Sequence, residues 1–168
     1  MGFLVCGIDP GLGAMGYAVI DATPQRVRIV DTGVCRTDPK LSLPDRLAQL
    51  DADVTSLFDE HRPNVVAVEK LYAHYKHPRT AILMGHARGI ILCAAGRMGV
   101  EVADLSATHV KRCLTGNGHA SKENVQRAIQ VTLGLDEAPQ SPDVADALAI
   151  ALCYAGNRSQ ALTESGSA

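Results

Sequence analysis

The order of hydrophobic periods along the chain predicts a mixed α/β domain: three strands in succession, a helix, then strands alternating with helices, and a final helix. Three observations carry that expectation. The first 35 residues hold Val- and Ile-rich runs separated by Gly-, Pro- and Asp-containing turns. At Leu43 the period changes from that of a strand to that of a helix. Two later short apolar runs, each followed by a helical segment, complete a set of five strands.

The elements follow in order. Phe3 to Ile8, Met15 to Ile20 and Arg26 to Cys35 read as strands joined by successive hairpins. Leu43, Leu47, Leu50, Val54, Leu57 and Phe58 then share one face of a helix that Pro63 stops. Asn64 to Glu69 supplies a short apolar strand. A loop rich in Tyr, His and Lys leads into a helix near Arg79 to Arg97, striped by Leu83, Ala87, Ile90, Ile91, Ala94 and Met98. Gly85 and Gly89, one turn apart on it, lower helix propensity but permit close approach by another element, the sheet or a second subunit.

Val100 to Leu105 is the fifth strand, Ala107 to Leu114 a helix capped by Ser106, and Ser121 to Leu133 another. Ser141 and Pro142 fit the N-cap and first position of a last helix reaching about Tyr154. Residues 1–156 are therefore expected to form one domain. Residues 157–168, rich in Ser and Ala, are expected to be a disordered tail.

Composition narrows the function classes. The 168 residues are 46% hydrophobic, enough for one core, and no apolar segment reaches the roughly 20 residues that a spanning helix requires. No export signal is expected at the N-terminus. The five cysteines are odd in number and scattered, which fits a reducing cytoplasm better than a disulfide framework or zinc site. His74 and His77 lack a matching second pair of ligands.

The net charge is −2, but its distribution is uneven. Residues 70–127 carry nine basic side chains against three acidic ones, a balance of +6, and the remainder carries −8. A polyanion suits the first part, and bound metal ions would offset the acidity of the second.

Four acids stand out. Asp9 ends a buried strand and opens a Pro-Gly turn, where it could brace the turn or project at the sheet rim. Glu69 follows Val65-Val66-Ala67-Val68, and an acid ending so apolar a strand is costly to bury unless paired or metal-bound. Asp143 and Asp146 lie three residues apart in the first turns of the last helix, so they share a face. The helix dipole explains Asp143 better than Asp146, which sits among Ala145, Ala147 and Leu148. Together the four form an oxygen-rich set suited to Mg²⁺ or Mn²⁺. Two such ions, roughly 3.5–4 Å apart, activate water and stabilise the leaving oxygen in phosphodiester hydrolysis.

The ordered set of motifs resembles the RuvC Holliday-junction resolvases, of ribonuclease H-like fold, over about residues 3 to 155. It comprises GIDPG at Gly7 to Gly11, the following MGYAVI, VVAVEK with Glu69, GHARG at Gly85 to Gly89, and DVADALAIA from Asp143 to Ala151. The resemblance implies a mixed five-stranded sheet flanked by helices, with Asp9, Glu69, Asp143 and Asp146 as catalytic, metal-binding carboxylates for two Mg²⁺ ions per subunit. It further implies a homodimer acting on four-way DNA junctions, each subunit nicking one of two like-polarity strands to leave 5′-phosphate and 3′-hydroxyl ends. A branch-migration helicase complex is the implied partner.

VKRCLTGNGHASKENV resembles the family's DNA-contacting region, with Lys111 and Lys122 against phosphates. The loop after Glu69 is less typical, slightly longer than the family pattern. Tyr72 occupies the place of an aromatic that stacks on a base at the opened junction, and Tyr75 is the alternative.

Competing readings are weaker. An actin-like or sugar-kinase phosphotransferase needs a second lobe, for which 168 residues leave no room. A non-cleaving DNA-binding scaffold would have lost an acid. A nuclease of the same fold acting on RNA or hybrids shares these acids, so substrate choice must separate it.

Overall fold

The structure is a computed structural model that describes residues 2–23, 26–71 and 78–165. Strands β1 (Phe3–Asp9), β2 (Ala14–Ala22) and β3 (Val27–Arg36) precede helix α1 (Leu43–His61) and strand β4 (Val65–Glu69). Helix α2 (Pro78–Met98), strand β5 (Glu101–Leu105) and helices α3 (Ala107–Thr115), α4 (Lys122–Leu133) and α5 (Pro142–Ser165) complete the chain. The five strands form one sheet in the order β3-β2-β1-β4-β5. β1, β2 and β3 pair antiparallel through the two hairpins, whereas β4 lies parallel to both β1 and β5. The mixed five-stranded sheet expected from the sequence is therefore present.

Strand periodicity divides the core in two. Val5 of β1 and Val65 and Ala67 of β4 face a cluster built with α3, α4 and α5, while Cys6, Ile8, Val66 and Val68 face α1 and α2. The α1 stripe packs as its spacing predicts, with Leu50, Val54, Leu57 and Phe58 buried. Ser106 and Ser121 cap α3 and α4 through their side-chain oxygens, and Ser141 accepts from the Val144 amide at the start of α5.

One expectation fails. Residues 157–165 are not a disordered tail but continue α5 to Ser165. Gly116 and Gly134 end their helices at positive φ, whereas Gly156 keeps negative φ within the helix and terminates nothing. Beyond it, Asn157 Nδ2 lies 2.9 Å from His109 Nε2, and the Arg158 guanidinium stacks 3.5 Å from the Phe3 ring centroid. These contacts tie the extra turns to α3 and β1. Composition alone does not reveal them.

Candidate active site

Strand parity places the first two acids. Asp9 follows Val5 and Gly7 at alternate positions, and Glu69 follows Val65 and Ala67, so both carboxylates project on the face covered by α5. β1 and β4 are parallel neighbours with Ile8 opposite Val68, so the acids that follow end up side by side at the same sheet edge. The carboxyl ends of parallel strands are where open α/β sheets place their ligand sites.

Helix α5 delivers the other two acids because small residues let it lie almost against the strands. A Cβ at Gly16 would stand 2.0 Å from the Asp143 carbonyl oxygen, and one at Gly7 would stand 2.3 Å from that of Ala147. Gly16 pairs directly with Asp9. The N-terminal turns of α5 are thereby fixed over the end of β1, with Asp143 and Asp146 three residues apart on the helix.

The electrostatics show the acids acting on one another. Burial, reinforced by Glu69, Asp146 and Asp143, pushes the Asp9 carboxyl up to about 7. Glu69 is also raised, first by burial and then by Asp146, against the opposing pull of Lys111 and Lys122. Burial is likewise the leading cause that raises Asp146, with Lys122 and Lys111 opposing and Asp143 reinforcing.

Lys111 and Lys122 share a cleft with Glu69 and Asp146. Lys122 Nζ lies 3.9 Å from Asp146 Oδ2. With the lysine 72% exposed, this long pair contributes little stability; its value is positive charge beside the acids. On the opposite flank, Arg36 Nη2 lies 3.9 Å from Asp143 Oδ2. Sequence reasoning misses Arg36 because its place at the site depends on the β2–β3 register, which sets it opposite Ala14. Tyr72 and Tyr75, the two aromatics singled out in the loop after β4, lie outside the described residues.

An all-carboxylate set in which Asp9, Glu69 and Asp146 are raised by burial and by neighbouring acids fits a hard divalent cation, which would relieve that repulsion. Among the described residues, no three acidic, histidine or cysteine side chains stand close enough to form a ready-made metal-binding group, so the four acids are linked by their influence on Asp9.

The family model described as crossover junction endodeoxyribonuclease RuvC matches residues 5–154. The chain belongs to the RuvC family. A RuvC from Rhodopirellula baltica is 44% identical over 149 residues, covering 89% of this chain and 84% of the relative. The Thermus thermophilus RuvC structure superposes with a TM-score of 0.87 at 35% identity, covering 95% of this chain and 97% of that one. The same protein in complex with Holliday junction substrate gives a TM-score of 0.84 at 34% identity, covering 94% and 96%. These likenesses establish the ribonuclease H-like fold, and the family is that of an endodeoxyribonuclease. Among the described residues, no helix is long and apolar enough to cross a membrane.

Proposed function

We propose that this chain resolves four-way DNA junctions, with Asp9, Glu69, Asp143 and Asp146 as the catalytic metal ligands. The observation that carries the reading is the meeting of four carboxylates from β1, β4 and α5 on one face of the sheet edge, in a chain of the RuvC family. Two Mg²⁺ ions per subunit are the proposed cofactors, with Mn²⁺ as a substitute. When bound, they supply the Lewis acidity that two-metal phosphodiester hydrolysis requires.

The protein's part is to hold and orient. Asp9, half-protonated near neutrality, gives up its proton as positive charge arrives, and the other three acids complete the ligand set. Lys111 and Lys122 draw the phosphate backbone towards Glu69 and Asp146 and balance the acids while the site awaits substrate. Water adds to the scissile phosphorus and the 3′ oxygen leaves, giving 5′-phosphate and 3′-hydroxyl ends.

Two like-polarity nicks require two sites, so the working unit is proposed to be a homodimer. In support, a methyl group placed at Gly85, Gly89 or Gly96 on the α2 face would meet nothing within 4 Å among the described residues, and Ile82 on α2 is 61% exposed. Tyr72 is the proposed base-stacking aromatic, and a branch-migration helicase complex in the cytoplasm is the proposed setting.

Incubation of purified protein and Mg²⁺ with a synthetic four-way junction, a linear duplex and an RNA–DNA hybrid tests the reading. The junction should be cut in preference to the others; preferential cleavage of the hybrid would sink the assignment. Lys111→Ala and Lys122→Ala should each weaken junction binding and reduce the slope of log K against log salt by about 1. An unchanged slope would count against phosphate contact by that lysine.

A further inference from the structure

We infer that Arg46 and Arg36 form a second phosphate-binding flank, gripping the DNA strand on the opposite side of the catalytic acids from Lys111 and Lys122. The inference rests on the junction-cleaving reading only for the ligand's being a nucleic-acid backbone.

The sheet order separates the two flanks. Lys111 and Lys122 act on Glu69 of β4 and on Asp146. Arg36 ends β3, two strands from β1 in the other direction, and still reaches to within 3.9 Å of Asp143. A backbone laid across the acids would leave the lysines and meet Arg36.

Arg46 is held beside it by a network that only the folded chain assembles. The backbone amide of Thr37 donates to the Gly13 carbonyl at 3.4 Å, and its hydroxyl donates to the Leu12 carbonyl at 2.5 Å. Thr37 is the one buried polar residue among the described residues. Its oxygen in turn accepts from Arg46 Nε at 3.0 Å. The Arg46 guanidinium thereby lies against the β1–β2 turn, with Nη2 3.9 Å from where a Gly13 Cβ would stand. That turn begins directly after Asp9.

The pinned guanidinium lacks an anion. Arg46 is half-buried, yet among the described residues no carboxylate pairs with it. The adjacent Asp45 is engaged by the Ser42 hydroxyl at 2.5 Å. A partly desolvated arginine, fixed through Nε by a neutral hydroxyl, presents its two Nη groups as a preorganised fork, the geometry that matches a phosphate's two oxygens. Thr37 is the positioning residue. Arg36, exposed and only loosely paired with Asp143, can turn to a neighbouring phosphate.

The test is junction binding across a salt series, in an Asp146→Asn background so that nothing is cut. Arg46→Ala should weaken binding about tenfold and reduce the salt slope by about 1. Arg46→Lys, which keeps the charge and loses the fork, should retain the slope while still binding several-fold more weakly. Thr37→Val, close to isosteric, should follow Arg46→Lys. Arg36→Ala changes only an exposed side chain, so it keeps the flank testable if the other variants fold poorly; its slope should also fall by about 1. Unchanged affinity and slope in Arg46→Ala and Arg36→Ala, alongside losses in Lys122→Ala, would overturn the second flank and leave the junction reading standing. Equal binding of junction and linear duplex, with the arginine losses intact, would overturn junction selectivity and leave the flank. Failure of the parent protein to bind any DNA would overturn both.

Discussion

The two faces of the sheet use glycine in opposite ways. On the α5 face, Gly7 and Gly16 are points of contact: any side chain there would collide with the backbone of Ala147 or Asp143. On the other side, Gly85, Gly89 and Gly96 of α2 have open space where a Cβ would stand. The first face needs its glycines to bring a helix, and the carboxylates that helix carries, against strand ends. The second can accommodate methyl groups, since none of the described residues approaches those glycines closely. The acids proposed for the chemistry, Asp9, Glu69, Asp143 and Asp146, lie on the first face.

The sharpest way to break this contrast is Gly16→Ala. The atoms nearest the added methyl are those of the Asp143 backbone, so α5 must shift away from β2. We expect a loss of roughly 3 kcal/mol or more in urea unfolding, together with loss of cleavage, because Asp143 moves with its backbone. Near-normal stability would show that the close packing of α5 is dispensable.

A smaller effect tests the electrostatic side of the same face. The Asp9 carboxyl is raised in the folded state to about 7 from 3.8. Between those values the folded chain binds more protons than the unfolded one, so stability of the metal-free protein falls as pH rises from about 4 to about 7. Above that range the full cost of the ionised acid is present. Asp9→Asn should flatten this slope, a difference on the order of 2 kcal/mol at pH 8. Urea titrations at several pH values read it directly, and parallel pH profiles for the two proteins would show that Asp9 is not the strained group. Cleavage by the unmodified protein should rise with pH through the same range, since the metal competes with the Asp9 proton.

Least is expected from the α2 face. Gly89→Ala should stabilise the isolated fold by up to about 1 kcal/mol, the gain in helix propensity with no collision to offset it. A marked loss of stability at dimer-forming concentrations would instead place a partner surface against Gly89.

Much of this arrangement was legible in the sequence because it follows from local period. Alternation along β1 and β4 puts Asp9 and Glu69 on one face, and three-residue spacing aligns Asp143 with Asp146. The caps at Ser106 and Ser121 and the stripe of α1 follow from equally local rules. What escaped depends on residues distant in the chain. The Arg46–Thr37–Leu12 network joins α1 to the first hairpin through a 25-residue separation. The extra turns of α5 rest on His109 and Phe3, which no composition rule connects to a Ser- and Ala-rich tail. Gly85 and Gly89 were legible as sites of close approach, but only the folded chain shows that the sheet is not what approaches them.

A division of labour is proposed for this layout: the acids at the α5 face would perform hydrolysis and leave recognition to the basic flanks. Asp146→Asn separates the two roles when cleavage and junction binding are measured on one preparation. The substitution keeps the shape of a half-buried side chain beside Lys122 and removes its charge. Cleavage should fall at least about a thousandfold, as expected when a metal ligand is lost, while junction affinity stays close to that of the parent. Cleavage at the parental rate would remove Asp146 from the chemistry and contradict that division.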